Sequence, residues 1–243
     1  MKRFYDRSDL GFALVCIGVY CAVMAPIRAA LGDASPVMLL MLAGAAAFLL
    51  TFIRKNALSE RYGLVKWRGR AVDYLCFIPM LVITTANLWG GVGMTYRGME
   101  QVWAVLSMLL VGIVEEIIFR GFLFRALLKR NSASAAIIIS SLSFGMGHLI
   151  NLLTGQGGID SLIQVILACS WGYLFSAVFY VSGSLWICML AHGLINAFYM
   201  FSSAEGTNVM LCMTSTLAVV LLYGLYLHRK PAALSLEASC KED

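Results

Sequence analysis

Glu115 and Glu116, followed one helical turn later by Arg120, lie in the run Val114-Glu115-Glu116-Ile117-Ile118-Phe119-Arg120, whose other members are hydrocarbon. A charged side chain near the centre of a bilayer is disfavoured by roughly 2.5–3.5 kcal/mol even on insertion scales, so three charges in one apolar segment mark a functional site. At helical spacing Glu116 and Arg120 share a face, which allows an ion pair. Glu115 points about 100° away from Glu116 on a helix of 3.6 residues per turn. A carboxylate turned toward the interior of a helix bundle, and not consumed by the arginine, suits general-base chemistry.

Two more clusters carry polar groups inside apolar segments. Phe144-Gly145-Met146-Gly147-His148 sets an aromatic ring and an imidazole on one face, with small residues that let a neighbouring helix approach closely. His192-Gly193-Leu194-Ile195-Asn196 sets an imidazole and a carboxamide four residues apart, in register to donate to a single oxyanion. Each cluster alone reads equally well as packing. Three of them, in separate segments, point to a shared interior site.

The elements that must position these residues are membrane helices. The chain of 243 residues is 60% hydrophobic and 13% charged, against roughly 25% charged residues in soluble domains. Apolar stretches recur at 10–31, 36–53, 73–92, 102–125, 133–152, 161–181, 184–202 and 208–228. Each approaches the roughly 20 residues that cross a hydrocarbon core as a helix. The sequence therefore predicts an all-α polytopic membrane protein of about eight transmembrane helices, forming one integral membrane domain over 1–243 with a catalytic core over 100–200.

Charge placement sets the orientation. With both termini cytoplasmic, Lys2, Arg3, Arg7, Arg54, Lys55, Arg61, Lys66, Arg68, Arg70, Arg120, Arg125, Lys129, Arg130, Arg229, Lys230 and Lys241 fall on the inner side, and only Arg28 and Arg97 fall outside. That asymmetry is what the positive-inside rule requires, and it explains the net charge of +5 by topology, without nucleic-acid binding. The first span is read as a retained helix, because the apolar run from Leu10 to Ala25 exceeds the usual 7–15 residues of a signal-peptide core. The segment Ser59-Glu60-Arg61-Tyr62-Gly63-Leu64, within the longest polar connection, is expected to be an amphipathic stretch at the cytoplasmic surface. The seven cysteines are scattered singly and read as small packing residues, and Cys240 lacks the aliphatic neighbours of a prenylation box.

Glu-Glu-x-x-x-Arg, then Phe-x-x-x-His, then His-x-x-x-Asn, on successive spans of an eight-helix protein, resembles the CAAX-protease and bacteriocin-processing family, also called the Abi family, of intramembrane proteases. The resemblance covers about residues 100–200 and fills every motif position: Glu115, Glu116, Arg120, Phe144, His148, His192 and Asn196. It implies an endopeptidase acting on a membrane-associated protein or peptide, in bacteriocin processing or self-immunity among other uses, and the small chain, without soluble domains or organellar signals, points to a bacterial plasma membrane. Glu115 would be the base that activates water with help from His148. His192 and Asn196 would stabilise the oxyanion, and Glu116, Arg120 and Phe144 would support the site.

The resemblance leaves the metal open, since the family is often described as metalloproteases. Glu115, His148 and His192 are of the right types for a three-ligand Zn2+ site with an open position. The chain lacks His-Glu-x-x-His, and a glutamate with a histidine can activate water unaided, so metal-free activation is the preferred reading. The serine and aspartate motifs of other intramembrane proteases are missing, as Tyr180-Val181-Ser182-Gly183 and Ala30-Leu31-Gly32-Asp33 show. A proton-coupled transporter would use the same buried carboxylates and histidines, but no half-repeat accompanies them. A non-catalytic membrane scaffold is the other alternative.

Overall fold

The structure, a computed structural model, describes residues 1–65, 75–153, 155 and 157–232. Among these the fold is all-α: α1 (Lys2–Arg7), α2 (Asp9–Leu31), α3 (Pro36–Lys55), α4 (Ile78–Ile83), α5 (Met99–Glu116), a π-helical segment (Ile117–Phe124), α6 (Arg125–Leu128), α7 (Ala133–Gly147), α8 (Ile150–Leu153), α9 (Gly158–Ser182), α10 (Leu185–Tyr199) and α11 (Thr207–His228). Six helical stretches are long and apolar enough to cross a membrane, and α10 and the stretch Leu75–Leu88 are shorter apolar helices. The protein is a polytopic membrane protein of about eight apolar helices. The start of the expected 73–92 span, the basic residues Lys66, Arg68, Arg70 and Lys241, and Cys240 lie outside the described residues.

Local chemistry sets the helix ends. Ser8, Ser35 and Ser132 each accept a hydrogen bond from a backbone N–H of the turn that follows, at Gly11, Val37 and Ala135, and Pro36 opens α3 where its missing N–H is harmless. Gly183, at φ 63°, ends α9 in the left-handed conformation that glycine adopts without penalty. The third expected span is broken among its described residues: Thr84 and Thr85 turn their hydroxyls back onto the carbonyls of Leu81 and Val82, both at 2.7 Å. Hydroxyls that bond the preceding turn in this way compete with the helical ladder. Among its described residues the stretch forms a 3-10 turn at 75–77, the short α4 and a 3-10 turn at Ala86–Leu88.

Small residues let the site-bearing helices touch. A Cβ at Gly112 of α5 would collide with the backbone of Gly193 in α10. A Cβ at Gly145 of α7 would collide with the Cys169 thiol and the Val165 carbonyl of α9, and one at Gly172 would press against the backbone of Ser141. In a bilayer, where lipid is as apolar as leucine, such close backbone approach is what drives helix association. Gly147 is different: a Cβ there would meet only ordinary contacts with Phe119 and Cys21.

One end of the bundle is clamped by charge and aromatic packing. Asp9 gathers Arg61 at 3.2 Å, Lys129 at 3.6 Å and Arg130 at 2.7 Å, so α2, the 56–65 connection and the α6–α7 connection meet at one point. Beside it the rings of Tyr5, Phe12, Phe52, Tyr62 and Phe122 pack mostly edge to face. The Tyr5 and Tyr62 hydroxyls share a hydrogen bond of 2.6 Å, and burial pushes both phenols above their ordinary range, so the pair stays neutral. The segment 59–64 is a set of turns packed against the bundle on one side, with Tyr62 and Gly63 buried and Glu60 exposed. Tyr62 is buried, and a Cβ at Gly63 would meet the Gly183 carbonyl. Arg120 and Arg125, counted with the inner-side charges, are both buried within their helix.

Candidate active site

Helix α5 ends at Glu116, and the next eight residues, all buried, continue it as a π-helix. Segments of this type are rare and frequently occur at functional sites. Glu116 and Arg120 straddle the start of this segment, with Arg120 Nη1 donating to Glu116 Oε1 at 2.9 Å. Both are fully buried. The remaining guanidinium nitrogens, Nε and Nη2, lack hydrogen-bond partners, but the guanidinium carbon lies 4.3 Å from the centroid of Phe144 and 5.4 Å from that of Phe175. Aromatic faces on the cation compensate part of its lost hydration.

Glu116 Oε1 also accepts from His192 Nδ1 at 2.8 Å. With that nitrogen protonated, His192 Nε2 is turned toward the other glutamate and lies 3.7 Å from Glu115 Oε2. The His192 ring stacks on Phe175, with centroids 5.1 Å apart and planes inclined by 19°, and meets Phe144 edge-on. Arg120, Glu116, His192 and Glu115 thus form a continuous polar chain across the helix pair α5 and α10. A second interaction holds the far oxygen of the carboxylate: Tyr20 of α2 donates to Glu115 Oε1 at 2.9 Å.

Glu115 and His148 line one cavity of about 60 Å³, whose walls also include Tyr20, Arg28, Phe144 and Asn151. At roughly 10–15 Å³ of such volume per molecule, it has room for a few waters. His148 caps the C-terminus of α7, and its Nδ1 donates to the Phe144 carbonyl at 3.2 Å, which leaves Nε2 without a proton in the neutral ring. The Phe144 ring touches His148, His192, Phe119 and Arg120, so the motif phenylalanine is the hub on which both imidazoles and the guanidinium rest. An apolar groove of α2 and α3 side chains adjoins the cavity and shares Tyr20 and Met24 with it.

The structure brings Glu115, Glu116, Arg120, Phe144, His148 and His192 together. Asn196 stands apart: it is half-buried on α10, one turn beyond His192, and is not among the residues lining the cavity. Carboxylate and imidazole are suitable zinc donors, yet among the described residues no three His, Cys, Asp or Glu side chains are gathered around one point. The Nδ1 atoms of both histidines are turned to other partners. As placed, Glu115, His148 and His192 do not make a three-ligand set.

Three contributors went unread in the sequence. Tyr20 and Arg28 belong to a span without motif residues, although Tyr20, Met24 and Arg28 recur at intervals of four and all three line the cavity. The two polar groups of that stripe, Tyr20 and Arg28, were the available signal. Arg28, whose Nε bonds Asp33, is a cavity residue and not a simple outer-loop charge. Phe175 carries no signal at all, being one aromatic among many in an apolar span.

Residues 98–198 match the family described as Rce1-like, type II CAAX prenyl endopeptidase Rce1-like. A curated Bacillus subtilis protein named "Putative membrane peptidase YdiL" is 28% identical over 123 residues, which cover 51% of this chain and 46% of that protein. The chain thus aligns with about half the length of this relative. No solved structure gives a significant match.

The buried pair generates a stability prediction. Glu116→Ala leaves Arg120 without its carboxylate among apolar groups, a change that typically costs about 3–5 kcal/mol. Thermal unfolding in detergent should show a clear loss for Glu116→Ala and a smaller one for Glu116→Gln, which keeps an acceptor for Arg120 and His192. Equal and negligible shifts in both variants would contradict the pairing.

Proposed function

We propose, from the match of residues 98–198 to the Rce1-like family, that this protein is an intramembrane endopeptidase hydrolysing peptide bonds of membrane-associated proteins or peptides. The observation that carries the reading is Glu115 itself: a carboxylate on the wall of a water-sized polar cavity beside His148, with a neighbouring glutamate already neutralised by Arg120.

In this reading a cavity water attacks the scissile carbonyl while Glu115, through the oxygen not held by Tyr20, takes its proton. His148 Nε2 accepts a hydrogen bond from the same water and aligns it. The carbonyl oxygen becomes an oxyanion, which His192 stabilises when its ring is protonated and Nε2 donates. Asn196, four residues on, is the second donor of the proposal. Its carboxamide forms no hydrogen bond among the described residues, so both its N–H groups remain available. Collapse of the tetrahedral intermediate breaks the C–N bond, and the proton held by Glu115 passes to the leaving amine. No step runs through a metal.

The proposal extends to a bacterial plasma membrane with both termini cytoplasmic. Its support is the convergence of Arg61, Lys129 and Arg130 on Asp9, which gathers basic connections at one end of the bundle, the end that the positive-inside rule assigns to the cytoplasm. Peptide maturation, bacteriocin processing and self-immunity are uses that such an activity would serve.

Purified protein in detergent or liposomes should cleave membrane-embedded peptides. Glu115→Gln should lower kcat by about 10²–10⁴-fold, the usual contribution of a positioned general base, with the unfolding temperature retained; full activity in that variant would overturn the assignment. Prolonged chelator treatment should leave the rate unchanged, whereas stoichiometric zinc whose removal abolishes cleavage would show that the ligands regroup around a metal.

A further inference from the structure

We infer that Tyr20 is a positioning residue for the reaction, fixing the Glu115 carboxylate so that one oxygen is held and the other is presented to water. The inference rests on the peptidase reading of the same site. It starts from the way the two Glu115 oxygens are distinguished: Oε1 accepts from the Tyr20 hydroxyl at 2.9 Å, and Oε2 faces His192 Nε2 at 3.7 Å, too long for a hydrogen bond. The firm contact is therefore the one from α2, a helix outside the family match.

Tyr20 is suited to the task by its surroundings. It lines both the Glu115 cavity and the adjoining apolar groove, where Val19, Val23, Met24 and Ala45 are its companions. Its hydroxyl reaches Glu115, the carboxylate that lines the cavity among the described residues. A phenol offers one donor on a rigid ring, with two side-chain torsions to fix, so little conformational freedom is lost when it orients a neighbour. Without it, the Glu115 side chain is free to rotate about its own torsions, and the population with an oxygen directed at water falls. Misplacement of a reacting group on the scale of 1 Å is enough to cost about 100-fold in rate.

The test compares the full-length protein with Tyr20→Phe, which keeps the ring and removes the donor, and Tyr20→Leu, which removes both. Kinetics of peptide cleavage are measured in liposomes, with thermal unfolding alongside. Tyr20→Phe is expected to lose about 10- to 100-fold in kcat, the range for losing a hydrogen bond to a charged group, with KM and unfolding temperature close to those of the parent. Tyr20→Leu should lose stability as well. Parent-like kcat in Tyr20→Phe would overturn the inference, as would a loss confined to KM, which would make Tyr20 a substrate contact. A wild-type protein that cleaves nothing would instead sink the peptidase reading. In that event the infrared carboxylate stretch that Glu115→Gln removes still judges the contact: a shift of that band in Tyr20→Phe supports the pairing, and an unmoved band refutes it.

Discussion

A guanidinium with no access to water is the constraint from which the rest of this structure follows. Arg120 is fully buried in a protein whose surroundings are hydrocarbon, and an isolated charge there is far too costly to persist. Its compensation comes from three elements at once. The carboxylate of Glu116 arrives from α5, the ring of Phe144 from α7 and the ring of Phe175 from α9. The helices have to sit where those groups can reach, and the glycine contacts between α5 and α10 and between α7 and α9 are what allow that proximity.

The same compensation sorts the two glutamates. Glu116 divides one oxygen between Arg120 and His192, so it neutralises the cation and orients the imidazole in a single stroke. Glu115 is left as the carboxylate of the cavity wall, approached by His192 from one side and bonded by Tyr20 from the other. Adjacent residues in one sequence thereby acquire different chemistry from the 100° between them on the helix. The role of His192 changes accordingly. It lies behind Glu115, tied to Glu116, and its ability to donate to an oxyanion depends on carrying a second proton.

Helices and their number were legible because lipid imposes a length and an apolar composition that few other constraints imitate. The Glu116–Arg120 contact was legible too, since spacing of four on a helix leaves little choice of partner. The hydrogen bond from His192 to Glu116 was not, because it depends on how α10 crosses α5, which Gly112 and Gly193 set in three dimensions. Tyr20 escaped notice for a related reason: one hydroxyl in an apolar span has no meaning until the helix is docked. Within the segment 59–64 the partners of Tyr62 were not legible, because its phenol finds Tyr5 and its ring finds Phe122 only once the chain is folded. Asn196 remains the motif residue with the least structural context.

The central claim is that the buried Glu116 acts on the chemistry through His192, as one unit with it. A double-mutant cycle on kcat with Glu116→Gln, His192→Gln and the combined variant measures this directly, since coupled residues depart from additivity while independent ones do not. The account predicts that the combined variant is about as slow as the slower single variant, because either change already breaks the chain to Glu115. Losses that multiply across the two positions would show that Glu116 and His192 work separately, and would contradict it.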